Sequence, residues 1–174
     1  MQLTIPEFSL ILLTGASSAG KTTFARRHFR PTEVISSDHC RALITDDEAD
    51  QTVSADAFAL LHYIVDKRLK HRKLTVVDAT NLQLSGRQTL LSLAHYYNCP
   101  ALAIVLKLPF STLQERHRLR PDRSFGEHIL ENHFREVQRT LDSLPFEGFR
   151  RTYVLETEEA VNNTVLERAA AEKA

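Results

Sequence analysis

Eight consecutive residues, Gly15-Ala16-Ser17-Ser18-Ala19-Gly20-Lys21-Thr22, lie between a short apolar run at Leu10 to Leu13 and a helical-period segment from Lys21 to His28. They satisfy the pattern G-x-x-x-x-G-K-[ST] in full and in its required setting, strand before and helix after. Small residues let such a loop wrap a phosphate with several backbone N–H groups pointing inward, and the helix N-terminus adds partial positive charge. Lys21 then bridges the β- and γ-phosphates of an NTP, Thr22 supplies a hydroxyl ligand to Mg2+, and Thr23 extends the nucleotide-binding set.

The rest of the chain follows the architecture that this loop demands. Short runs rich in Val, Ile or Leu, at Leu10 to Leu13, Glu33 to Ile35, Leu74 to Val77, Ala101 to Leu106 and Tyr153 to Leu155, alternate with segments of helical period. Those segments are Lys21 to His28, Ser54 to Arg72, Ser85 to Tyr97, Ser111 to Arg118, Glu127 to Leu144 and Ala160 to Ala171, with Ser54, Ser85 and Ser111 as expected N-caps. The alternation predicts an α/β fold of the P-loop type, a parallel sheet with helices on both faces. With 174 residues, one domain spanning 1–174 is expected. Leu119 to Phe125, where Pro121 interrupts helix between Arg-containing flanks, reads as a mobile Arg-rich lid over about 116–126.

Three features besides the loop carry chemistry. Ser37-Asp38-His39-Cys40-Arg41 follows the second strand, where open parallel sheets present residues into the crevice at the strand carboxyl ends. A carboxylate there orients an acceptor hydroxyl and takes its proton, with Arg41 one helical turn on. The same pair is equally an N-capping Asp with an i,i+3 ion pair. Val76-Val77-Asp78 closes an apolar strand on a carboxylate suited to ordering magnesium's water, unless Asp78 only caps a turn. Arg116, Arg118, Arg120 and Arg123 fall within eight residues. Guanidinium groups there fit a phosphoryl group whose charge spreads in the transition state; the plain alternative is a solvated helix end.

Composition adds exclusions. Cys40 and Cys99 are too few and too far apart for a disulfide scaffold or zinc site, so a reducing cytoplasm is expected. Ser9 to Leu13 is too short for a membrane span. The eight His show no metal spacing; His62, His95 and His133 read as amphipathic helix positions, and Cys40 as a small buried hydrophobe.

Thr4-Ile5-Pro6, the phosphate loop, Pro31 to Asp38 and Leu74 to Asn81 occur together in a pattern that resembles the N-terminal kinase domain of bacterial polynucleotide kinase-phosphatase. The likeness takes in Asp46-Asp47-Glu48 to Gln51 and Gly148-Phe149-Arg150. It implies transfer of the γ-phosphate of ATP or another NTP to the 5′-OH end of RNA or DNA, in company with phosphatase and ligase-like domains or proteins of end repair. It also implies roles: Asp38 as general base, Arg41 at the acceptor end, Arg116 with Arg123 as phosphate clamp, and Gln51 and Thr80 near the acceptor's 3′-side phosphate. Ser18 and Ala19 replace the glycine and serine frequent in relatives, which stiffens the loop. The residues alone equally suit a kinase of a small hydroxylated metabolite or sugar nucleotide, or a non-catalytic NTP-binding switch.

Overall fold

The computed structural model describes residues 1–119 and 126–170. Its centre is a five-stranded parallel sheet formed by β2 (Leu10–Gly15), β3 (Val34–Ser36), β4 (Thr75–Asp78), β5 (Ala101–Leu106) and β6 (Arg151–Leu155), in the order β3-β4-β2-β5-β6. Every residue of β2, β4 and β5 is buried, so these strands read as continuous apolar runs and not as alternating ones. The pleat divides β2 and β4 between two cores. Ile11, Leu13 and Val76 face one; Leu10, Leu12 and Val77 face the other.

Helices cover both faces. On the first lie α1 (Lys21–His28), α5 (Phe110–Arg118) and α6 (Glu127–Ser143), which contribute Phe24, Leu113, Leu130 and Val137. On the second lie α3 (Ser54–Lys70) and α4 (Leu84–Tyr96). Ala57, Leu61, Val65 and Leu69 recur every four residues along α3 and make one buried stripe. Truncating Leu61 to Ala would remove the middle of that stripe and cost about 2–5 kcal/mol.

The C-terminal segment corrects the sequence expectation. Instead of a helix over Ala160 to Ala171, one short helix, α7 (Glu158–Asn162), precedes a strand, β7 (Val165–Ala169). Thr157 caps α7 by accepting from the Ala160 N–H at 3.0 Å. The strand pairs in parallel with β1 (Gln2–Pro6), Leu3 opposite Leu166. A partner strand from the far end of the sequence overrides a local helical period, because each paired residue gains ladder hydrogen bonds.

The expected serine caps are also corrected. Ser54 is the first residue of α3, and Ser85 and Ser111 are second residues of α4 and α5, so none flanks its helix. The helix α3 follows directly on a 3-10 turn, Gln51–Val53, which Asp50 caps through the Thr52 N–H at 2.9 Å. A helix that the periodicity does not delimit, α2 (Ser37–Thr45), begins at Ser36, whose hydroxyl accepts from His39 N–H. Arg120, Arg123 and most of the expected lid lie outside the described residues.

Candidate active site

The phosphate loop joins β2 to α1 through backbone that side chains resist. Gly15 has φ +152°, and a Cβ there would sit 2.7 Å from the Leu106 carbonyl oxygen on β5, so only glycine fits. Gly20, at φ +94°, turns the chain into α1. Ser18 occupies the left-handed region at φ +64°, which costs a non-glycine residue roughly 1–2 kcal/mol. The Ser18 hydroxyl is buried and makes no hydrogen bond, a polar atom lodged in the loop without a protein partner. The Lys21 ammonium folds back across the loop, donating to the carbonyls of Gly15 at 2.9 Å and Ala16 at 2.7 Å.

The carboxyl ends of β2, β3 and β4 converge on this loop. Thr22 donates its hydroxyl to Asp78 Oδ2 at 2.8 Å. Asp78 is 4% exposed, and burial pushes its carboxyl above the ordinary range, against the opposing pull of the Thr22 hydroxyl and Lys21. Its carboxylate thus meets the phosphate loop directly. The adjoining turn is tied down as well: Gly15 N–H donates to the Thr80 carbonyl at 3.1 Å, and Asn81, at φ +51°, donates its amide to the Leu13 carbonyl at 2.7 Å.

With Ser36 as the cap of α2, Asp38 stands in the first turn, where the helix dipole favours a carboxylate. Arg41 donates through Nη2 to Asp38 Oδ1 and through Nε to the Glu48 carbonyl at 2.8 Å. The i,i+3 ion pair, the plain alternative for these two residues, therefore exists, with Arg41 buried and the Asp38 side chain 41% exposed at a cavity. A space of about 480 Å3 is lined by Ser17, Ser18, Gly20, Lys21, Thr22, Asp38, Arg41, Gln51, Asp78 and Thr80 together. Sequence-distant candidates from the phosphate loop and the start of α1, from α2, from the turn before α3, and from the end of β4 and the turn after it thus share one volume.

Arg116 lies on the other side of the loop. Its Nη1 donates to the carbonyl of Ala19 at 3.2 Å, and its Nη2 pairs with Glu158 at 3.1 Å. It lines a second cavity of about 320 Å3 with Ser18, Gly20, Thr23, Phe24, Arg27, Leu119, Val161 and Asn162. Arg123, its expected companion, is outside the described residues.

Periodicity misses several cavity residues. Its spacing makes His133 an amphipathic helix position, yet with Ile129, Phe58 and Ser54 it lines the 480 Å3 space. The four-residue spacings Ser54 to Phe58 and Ile129 to His133 are visible, but nothing in the sequence says which face a helix turns to a cavity. Cys40 agrees with expectation: it is 1% exposed, and burial pushes its thiol up, which makes it a poor nucleophile. No helix among the described residues is long and apolar enough to cross a membrane.

Residues 10–144 match the AAA domain family. No curated protein matches the chain. Among solved structures, a chain of the Pnkp1/Rnl/Hen1 RNA repair complex is 24% identical with TM-score 0.64, covering 80% of this chain and 47% of its own. This protein therefore spans about half the length of that relative. Kti12 of Chaetomium thermophilum, solved with ADP-AlF3, is 18% identical with TM-score 0.63, over 88% of this chain and 93% of its own. A gluconokinase from Sinorhizobium meliloti is 17% identical with TM-score 0.56, over 91% of this chain and 87% of its own. At these identities the likenesses speak for the fold. The strand order, the phosphate loop and the matched span agree, and the chain belongs to the AAA domain family, with a P-loop kinase-like fold.

Proposed function

We propose that this chain is a polynucleotide 5′-hydroxyl kinase, moving the γ-phosphate of ATP or another NTP to the 5′-OH end of RNA or DNA. The observation that carries the reading is the placement of Asp38, a half-buried carboxylate, in one cavity with Lys21 and Thr22. An acceptor hydroxyl entering beside Asp38 meets a base on one side and the phosphate loop on the other. Asp38 takes the hydroxyl proton as the acceptor oxygen bonds to the γ-phosphorus, and the bond from that phosphorus to the β-bridging oxygen breaks to release NDP. Arg41 keeps the carboxylate oriented and faces the acceptor end. Gln51 and Thr80 serve the phosphate on the acceptor's 3′ side, while Arg116 and Arg123 clamp the donor phosphates.

Mg2+ suits the residues present. A carboxylate as buried as Asp78 is costly without a cation, and Thr22 places a hydroxyl beside it. Thr22 would hold the ion directly and Asp78 through water. Bound there, the ion would neutralise charge on the phosphates. The resemblance to end-repair kinases and the likeness to an RNA repair chain support the acceptor class and the company of phosphatase and ligase-like partners.

The test offers γ-labelled ATP and Mg2+ with a 5′-OH oligoribonucleotide, its deoxy counterpart, a nucleoside 3′-phosphate, a free nucleoside, a sugar, or water alone. Label on the oligonucleotide 5′ ends is expected, with the free nucleoside poor for want of a 3′-side phosphate. Label going only to the sugar or to inorganic phosphate would overturn the reading.

A further inference from the structure

The phosphate chemistry uses only part of the 480 Å3 cavity. Besides the residues already described, its wall draws on two helices from opposite faces of the sheet. Helix α3 contributes Ser54 and Phe58; helix α6 contributes Ile129 and His133. Each pair is four residues apart and so occupies one helix face. The faces adjoin the core stripes without belonging to them: Phe58 follows buried Ala57, and Ile129 precedes buried Leu130. Phe58, Ile129 and His133 are all only half-buried.

The chemistry of that wall selects among acceptors. A polyol needs a hydrogen-bond partner for each hydroxyl removed from water; Ser54 and His133 can serve one or two, but the Phe58 ring and the Ile129 chain supply none. A flat heteroaromatic ring loses little on leaving water and gains contact over its whole face. The volume lies in the range of roughly 300–1,000 Å3 typical of sites that enclose a small molecule. Gln51, one turn before Ser54, lines the same space, and its amide oxygen accepts from the Ser54 hydroxyl at 3.3 Å.

We propose that Phe58, Ile129 and His133 form a subsite for the nucleobase of the acceptor's 5′-terminal nucleotide, held by stacking and apolar contact and not by its hydrogen-bonding edge. The subsite rests on the polynucleotide kinase reading and adds the part of the acceptor that reading leaves unplaced. Every base has a π-face, so the terminal base should matter by its presence and little by its identity.

The test uses 5′-OH oligonucleotides of one sequence whose terminal nucleotide carries A, C, G, U or no base. With wild type, the four bases should fall within a few-fold of one another in kcat/KM, and the abasic end should be lower by roughly 10- to 100-fold, mostly through KM. Phe58→Ala, Ile129→Ala and His133→Ala should each shrink that gap by weakening the base-bearing acceptors while barely changing the abasic one. Because Phe58 also touches the core, the decisive measurements are Ile129→Ala and the wild-type comparison, which needs no variant. If wild type treats abasic and base-bearing ends alike, or if Ile129→Ala leaves the full gap, the subsite is overturned while the kinase reading stands. A spread among the four bases larger than the abasic gap would mean edge recognition and also overturn it. Failure of every oligonucleotide to accept phosphate would instead sink the kinase reading itself.

Discussion

Arg87 and Arg41 are both buried arginines bonded to a carboxylate, and they differ in how completely the pair is closed. Arg87 satisfies all five of its N–H donors. Nε and Nη2 reach Glu147 at 2.7 and 2.6 Å, Nη1 reaches the carbonyls of Asn81 and Leu82 at 2.9 Å each, and Nη2 also reaches the Ser143 hydroxyl at 3.2 Å. Both side chains are nearly inaccessible, at 2% and 6%. Arg41 is similarly buried at 9%, but Asp38 is 41% exposed and opens on the phosphate cavity. The first pair is a staple. It fixes the turn after β4, which carries Thr80, to the end of α6 and the 3-10 turn beyond it. The second leaves its carboxylate open to the cavity. Identical chemistry thus fastens one place and stays available in another, and solvent access makes the difference.

The largest effect is expected at the Asp38–Arg41 pair. Asp38→Ala should lower turnover by about 100- to 10,000-fold, the range for a positioned proton acceptor, with binding of a non-hydrolysable NTP near normal. Lys21→Ala should lose both, since it removes a phosphate contact. Substantial turnover by Asp38→Ala, or an equal loss of nucleotide affinity, would remove the general-base assignment.

At the staple the effect should fall on stability. Arg87→Met leaves Glu147 buried without its cation, at a cost of about 3–5 kcal/mol, and denaturant unfolding should read that loss. The same pair sets a pH dependence. Burial works against ionised Glu147, but hydrogen bonds from Arg87 and Ser143 prevail and hold its carboxyl below the usual 4.5. A depressed folded pKa means a contribution that is present above the unfolded value and lost as pH falls through the folded one. Stability should therefore decline below about pH 4.5 more steeply in wild type than in Glu147→Gln. Parallel acid profiles would show that the pair contributes no ionic stabilisation.

The smallest effect has the opposite sign. Asp78 has a raised folded pKa, so its ionised form opposes folding at neutral pH and ceases to do so below the unfolded value. Asp78→Asn should stabilise the nucleotide-free protein, Tm rising by about 2–4 °C for each kcal/mol recovered, and the gain should vanish in acid. It should also weaken the stabilisation conferred by Mg2+ with NTP. A lower Tm at neutral pH would show that the Thr22 contact, and not burial of charge, dominates at Asp78.

Much of the site is legible in the sequence because its signals are local. The phosphate loop is an unbroken run, Asp78 ends the apolar strand β4, and Asp38 comes just after β3, at strand ends that face the crevice. The five sheet strands and the helices starting at Lys21 and Glu127 are readable for the same reason, since period and burial coincide there. The Asp38–Arg41 bond is foreseeable from its spacing, though whether it lies on a surface or in a cavity is not. Arg87 and Glu147 give no sign of each other across 60 residues. The helix expected over Ala160 to Ala171 fails because β1 supplies ladder partners to Val165–Ala169 that no local pattern reveals.

By itself, then, the sequence determined the class of fold and which polar residues stand at the strand ends, because a phosphate loop, a strand-terminal carboxylate and a helical stripe are written in neighbouring residues. Tertiary structure alone decided that Asp38 shares a volume with Lys21 while Arg116 lines another, that Phe58 and His133 face the cavity, and that the chain's last described segment is a strand. The physical reason is that burial, cavity shape and strand pairing depend on which distant surfaces exclude water from one another, and that is settled only when the two faces of the sheet are covered.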